Sequence, residues 1–178
     1  MSAMSTATEQ RDHIDRFLDQ IRDTLPGLDL EVEGLVDRIS GLSRRIHRML
    51  DETLEEFGLD HGQYKVLSSL VNGPDSCSPG FLSQQLDLSS GAMTNRLDRL
   101  ERRGLVQRTP DPDDRRGVRI EATPEGRRLY KDAVAVQAQK EALVAAALNE
   151  REKQRLNALL RRLMLEFERR EDKGRTIG

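Results

Sequence analysis

The stretch Thr109–Gly126, TPDPDDRRGVRIEATPEG, constrains the fold more than any other part of the chain. Its prolines, its aspartates and Gly117 are turn formers. After the turn, Val118, Ile120 and Ala122 alternate with Arg119 and Glu121, the period of a strand with one wet face. The spacing predicts two short strands, about 105–109 and 117–122, joined by an Asp/Pro turn tipped with the adjacent pair Arg115 and Arg116. The segments on either side of this hairpin read as helix.

Ile14, Phe17, Leu18 and Ile21 recur at helical spacing and predict an amphipathic helix over 10–24, ending near Pro26-Gly27. A second helix, about 30–57, carries Leu35, Ile39, Leu42, Ile46, Met49, Leu50 and Leu54 on one stripe and stops at Gly58. Asp60-x-x-Gln63 resembles a capping box and opens a helix through about Leu70, closed by Asn72-Gly73-Pro74. Ser78-Pro79 supplies an N-cap and a first-turn proline for a short helix through Leu86. Ser89 or Ser90 caps the next, which ends at Gly104. Thr123-Pro124 caps a long helix over about 124–147, and Asn149-x-x-Glu152 caps another to about 170. That last helix has a seam of Leu156, Leu159, Leu160, Leu163, Met164 and Phe167. Residues 1–9 read as disordered and the tail EDKGRTIG as frayed. The expected division is a tail over 1–9, N-terminal dimerisation helices over 10–58, a DNA-binding lobe over 59–123 and C-terminal dimerisation helices over 124–178.

With 178 residues, 34% of them charged, 3% aromatic and no Trp, the chain suits charged, exposed helices rather than a thick β-sandwich. Helices that outrun a small core usually find a second copy of themselves. The net charge of −2 hides an asymmetry. Residues 1–40 carry four basic and nine acidic side chains, whereas residues 79–131 carry eleven basic and eight acidic ones. The hairpin region is the basic part of a chain that is not basic overall, so the pI does not argue against a nucleic-acid partner. One cysteine, Cys77, excludes an intramolecular disulfide, and three scattered histidines give no metal-ligand spacing. No apolar run approaches the length of a membrane span, and the first ten residues lack an apolar signal core. A cytoplasmic location is expected, with no cofactor.

Helix, turn, helix and hairpin in this order make a winged helix-turn-helix. The expected fold is therefore mainly α, a winged helix-turn-helix with a two-stranded β wing and a helical dimerisation region. The second helix, over about 90–103, seats Met93, Leu97 and Leu100 on the domain. Ser90 and Gly91 open it, Thr94, Asn95, Asp98 and Arg102 point away, and Arg96 and Arg99 flank them. Such a helix can enter a major groove, where Arg reads guanine and Asn reads adenine. Taken without the hairpin, the same arginines would suit a solvated charged face.

Leu100-Glu101-x-x-Gly104-Leu105-Val106-x-Arg108, then Asp111-x-x-Asp114-x-Arg116, then Thr123-Pro124-Glu125-Gly126 resemble the MarR family of bacterial transcription regulators, and the likeness extends over about residues 35–170. The resemblance implies that Arg116 enters the minor groove, where arginine reads width and potential, and that Asp114 shapes the wing. It implies a homodimer on a pseudopalindromic DNA site, repression, and release by a small ligand. The added helix at 10–24 and the segment Ser90 to Arg108 are most similar to the urate-responsive branch. That branch has a tryptophan in the added helix, absent here, and an aspartate where Lys65 stands. Lys65 favours an anion of another shape, such as a carboxylate, with Arg44 and His47 as further candidates for the same cleft. Cys77 reads as a passive residue, since a redox switch needs an exposed thiol of low pKa. The chain has no Gly-rich phosphate loop, nucleophile elbow or HExxH, which argues against an enzyme. A helical interaction protein without specific DNA binding is the alternative.

Overall fold

The computed structural model describes residues 11–175, apart from Asp113, Arg115 and Arg116. The expectations for residues 1–9, for the last residues of the tail and for the two wing arginines lie outside that range. The chain divides into two compact units, one through Asp60 and one from His61.

The first unit pairs α1 (His13–Ile21) with α2 (Leu30–Glu56). Helix α1 is shorter than the expected 10–24: it holds the whole apolar period from Ile14 to Ile21, and Asp12 fixes its start. The Asp12 carboxylate accepts from the backbone N–H groups of Ile14 (2.8 Å) and Asp15 (3.0 Å), and Asp15 returns the bond to the Asp12 N–H (2.9 Å). That capping box leaves no orphan donor for an earlier turn. Ile14 is buried and Leu18 half-buried, while Phe17 is exposed. Gly34, buried on α2, lets α1 lie close on it. A methyl group at Gly34 would stand 3.0 Å from Leu18 Cδ1. Arg38 ties the pair, donating to Asp12 (3.0 and 3.2 Å) and to Asp15 (2.5 Å). Helix α2 ends in a Schellman turn: Gly58 takes φ +63°, its N–H reaches Glu55 O, and the Leu59 N–H reaches Leu54 O.

The cap carries a pH dependence. The Asp15 N–H and then the Arg38 guanidinium hold the Asp12 carboxyl well below its ordinary range, at about 2. A depressed folded-state pKa gives stability that is complete above the unfolded value, near 4, and that is lost as pH falls toward 2. Protection of the Ile14 and Asp15 amides, measured against the intrinsic exchange rate at each pH, is therefore expected to hold down to about pH 4 and to fall between 4 and 2. In Arg38→Ala the protection begins to fall at higher pH. Exchange that follows global unfolding in both proteins would refute this assignment.

The second unit holds α3 (His61–Asn72), α4 (Pro79–Gln85), α5 (Ser90–Arg102), β1 (Val106–Pro110), β2 (Val118–Ala122), α6 (Pro124–Ala145) and α7 (Glu150–Arg175). Val66, Leu67 and Leu70 of α3, Leu82 of α4, Met93, Leu97 and Leu100 of α5, and Val106 and Ile120 of the strands form its core, each at most 2% exposed. Burying each such side chain contributes about 1.5–3 kcal/mol. The strands are antiparallel with Val106 opposite Ala122 and Arg108 opposite Ile120, one residue later than the sequence expectation. Helices α3 and α6 share a polar seam: Tyr130 OH accepts from Asn72 Nδ2 (2.8 Å) and lies 3.1 Å from Ser68 Oγ, and its ring stacks on Tyr64. The bond to Asn72 explains why α3 runs past Leu70.

Punctuation follows the expected residues. Ser78 and Ser89 cap α4 and α5 with Pro79 in the first turn of α4, Gly104 closes α5 at φ +67°, and Asn149 and Glu152 exchange capping bonds. Asp87, between α4 and α5, adopts φ +51°, a conformation that costs a non-glycine residue roughly 1 kcal/mol. None of the described residues of α7 is buried. Its seam of Leu156, Leu159, Leu160, Leu163, Met164 and Phe167 stands 37–64% exposed. In the first unit Val32, Leu35, Val36, Ile39, Leu42 and Ile46 form a second uncovered stripe. No described helix is long and apolar enough to cross a membrane.

Candidate nucleic-acid interface

Helix α5 presents what its period implies. Met93, Leu97 and Leu100 face the core, and Ser90, Gly91, Thr94, Asn95, Arg99 and Arg102 are exposed. Ser89 Oγ accepts from the Ala92 N–H (3.3 Å), which leaves other first-turn N–H groups pointing outward. Those donors, with the positive end of the helix dipole, suit a phosphate. Thr94 Oγ1 donates to Ser90 O (3.0 Å), so its free lone pairs and methyl group face out. Nothing stands within 4 Å of where a Gly91 side chain would be.

That open space gives a clean test. Gly91→Ala removes backbone freedom from the unfolded chain and adds a helix former, so it is expected to stabilise the unit by up to about 0.5–1 kcal/mol. A methyl group on a groove-facing surface is expected to weaken duplex binding in the same variant. Thermal melting and fluorescence anisotropy on one preparation separate the two effects. Binding that rises together with stability would remove Gly91 from the interface.

Arg96 departs from the expected flanking position. Its guanidinium folds back onto α3: a Cβ built on Gly62 would lie 2.2 Å from Arg96 Nε. Arg96 Nη1 is buried and has no hydrogen-bond partner among the described residues. A helical wheel gives the direction of Cβ, and a long arginine can reverse that direction over a glycine.

The wing is held at its base on three sides. Cys77 and Ile120 exchange two backbone hydrogen bonds, 3.1 and 2.8 Å. Arg119 is only partly exposed. It reaches the segment before α4, donating to Ser76 Oγ (2.6 Å) and Ser76 O (2.7 Å), with Asp111 Oδ2 at 3.6 Å. Arg108 of β1 donates to Asp98 Oδ1 (2.7 Å) and to Glu101, both on α5. Asp98 first, with Glu101, favours the charged guanidinium. The turn closes through Asp111 N–H to Gly117 O (3.0 Å) and Gly117 N–H to Asp114 O (2.8 Å). A methyl group at Gly117 would meet Asp111 Cβ at 2.8 Å, so only glycine fits. Asp114 is exposed beside this turn. Arg115 and Arg116 lie outside the described residues. Sequence reasoning missed Arg119, and it read Arg108 only as part of a motif, because the partner Ser76 is 43 residues from Arg119 and no period relates them.

The ligand candidates fall in both units. Arg44 and His47 are exposed on α2, one turn apart, and His47 Nδ1 lies 2.8 Å from Ser43 O. Lys65 is exposed on α3, in the other unit. Two open clefts beside α1, about 480 and 270 Å³, include none of the three. Cys77 is 6% exposed, and burial pushes its thiol above the ordinary value while nearby Arg119 pulls the other way. That environment fits a passive residue.

Comparison with known proteins agrees with this geometry. The model of the MarR family matches residues 59–118. The HTH-type transcriptional regulator PecS of Dickeya dadantii is 32% identical over 149 residues, which cover 83% of this chain and 90% of PecS. The crystal structure of apo MarR from Escherichia coli superposes with a TM-score of 0.63 at 29% identity, over 72% of this chain and 95% of that one. A mutant of MepR from Staphylococcus aureus, solved bound to an oligodeoxyribonucleotide, shares the fold with a TM-score of 0.60 at 22% identity, over 75% and 97% of the two chains.

Proposed function

Because this chain belongs to the MarR family, a family of DNA-binding transcription regulators and not of enzymes, we propose that it represses transcription as a homodimer bound to a pseudopalindromic operator and leaves the DNA when a small anion binds. The observation that carries the reading is α5: one face seats three buried apolar side chains, and the opposite face offers Ser90, Gly91, Thr94, Asn95 and Arg99 to solvent. Phosphate contacts from the helix N-terminus and arginines would position it, and Asn95 and Arg99 have the groups that discriminate base edges. By the family resemblance, Arg116 would enter the adjacent minor groove, with Asp114 shaping the turn.

The exposed α7 seam and the exposed α2 stripe support the dimer, since a second copy would cover apolar faces that stand exposed among the described residues. Two-fold symmetry then sets half-sites about one DNA turn apart, ~34–36 Å. In this reading the N-terminal helices and α6–α7 dimerise and residues 59–123 bind DNA. Lys65, Arg44 and His47 supply positive charge for a carboxylate effector, and an unchanged ligand response in Lys65→Ala would remove Lys65 from that role. The protein of this reading works in the cytoplasm.

The test is selection of binders from a random pool of duplex DNA at two salt concentrations. Recovery of a palindrome, with affinity falling steeply as salt rises, supports the regulator. Weak, uniform binding with no enriched sequence overturns it and brings forward an interaction protein on the same scaffold.

A further inference from the structure

The guanidinium of Arg108 spans two elements that must meet DNA together. It leaves β1 at the base of the wing, and its two terminal nitrogens divide between Asp98 and Glu101, three residues apart and so on one face of α5. The side chains of Arg108, Asp98 and Glu101 are 30%, 48% and 39% exposed. Ion pairs this wet add little to stability, so the arrangement needs another account. Two consequences follow from where it sits. A planar fork held at both prongs fixes an angle, as a lysine's single point charge does not. The two carboxylates also lie on the helix that approaches a polyanion, where unpaired they would repel it.

We propose that Arg108 is a positioning residue that sets the wing on the recognition helix and neutralises two carboxylates on the DNA-facing side, so that α5 and the wing tip reach neighbouring grooves in register. The inference rests on the DNA-binding reading above. Arg108 touches no base in it. Arg119 on β2 anchors the other strand to Ser76, which leaves the α5 side of the hairpin to Arg108.

The experiment compares the wild-type protein with Arg108→Gln and Arg108→Lys on the selected operator, by anisotropy, hydroxyl-radical footprinting and thermal melting. Arg108→Gln is expected to weaken binding by roughly 100-fold or more, equivalent to removing one groove interaction per protomer, with nearly unchanged melting. Its footprint should fade over the flanking minor grooves while protection under α5 persists. Arg108→Lys should restore the salt slope but only part of the flank protection. Adding Asp98→Asn and Glu101→Gln to Arg108→Gln should recover binding to non-specific duplex without recovering the flanks. Uniform fading of the footprint, unchanged affinity, or full rescue by lysine would overturn the inference. If the wild-type protein enriches no sequence, the DNA-binding reading fails, and this inference fails with it.

Discussion

Gly126→Ala is expected to unravel the base of the wing. A Cβ at Gly126 would lie 2.0 Å from the carbonyl oxygen of Leu105 and 2.9 Å from its carbon. Both sides of that contact are backbone, so no side chain can turn aside. The first turn of α6 is fixed there by Thr123, whose N–H reaches Leu105 O (3.1 Å) and whose hydroxyl donates to Gly104 O (2.6 Å) while accepting from the Gly126 N–H (3.0 Å). Making room means separating α6 from the α5–β1 corner and giving up these bonds. Overpacking of this kind costs roughly 3 kcal/mol or more, a fall in Tm of about 6–12 °C for a chain of this size. Protein concentration must be held fixed in the comparison, since self-association would shift the apparent stability. Gly91→Ala is the internal control: it is the same chemical change in open space, with the opposite expected sign. A Gly126→Ala protein within ~0.5 kcal/mol of wild type would mean that the corner is looser than this packing requires.

Much of the fold was legible because its signals are local. Ser78-Pro79, Ser89, Thr123-Pro124, Gly58, Gly104 and the Asn149/Glu152 pair each satisfy or terminate a helix within a few residues, and the structure uses every one of them. Periodicity gave the buried face of α5 for the same reason. It also gave the exposed seam of α7, whose apolar residues do not say whether they are covered from within the chain or from outside. What periodicity could not give is the course of a long side chain after Cβ. Arg96 and Arg99 look alike on a wheel, yet Gly62 opens a place for Arg96 on α3 while Arg99 stays exposed. Arg119 alternates as if wet, yet a serine hydroxyl and carbonyl capture it. Helix α1 starts later than residue 10 because a capping box at Asp12 fixes its first turn. These are long-range or competing polar contacts, and a single sequence does not pair them.

The inward course of Arg96 also decides which charge reversals test DNA binding cleanly. Arg96→Glu would remove the arginine stem from Gly62 and set a carboxylate near the site of a buried nitrogen. Losing that packing while desolvating an acid is expected to cost about 1–3 kcal/mol, so weak binding by this variant would not separate DNA recognition from folding. Arg99 is exposed on the outward face of α5, and Arg116 occupies the turn that the resemblance places in the minor groove. Arg99→Glu and Arg116→Glu are the two reversals to compare, with thermal melting recorded beside binding for each. Each replaces an attraction to phosphate or base by a repulsion. One such interaction is worth about 1–3 kcal/mol, and a dimer carries the change twice, so operator affinity should fall by roughly 100-fold or more. The base preference separates the two variants. If Arg99 reads a base edge and Arg116 the minor groove, both slopes of log affinity against log salt should flatten by about two per dimer, one for each arginine replaced. Only Arg99→Glu should also relax the choice of base within each half-site. Unchanged affinity and slope in both variants would mean that α5 and the wing are not the surface that meets DNA, whatever the family likeness implies.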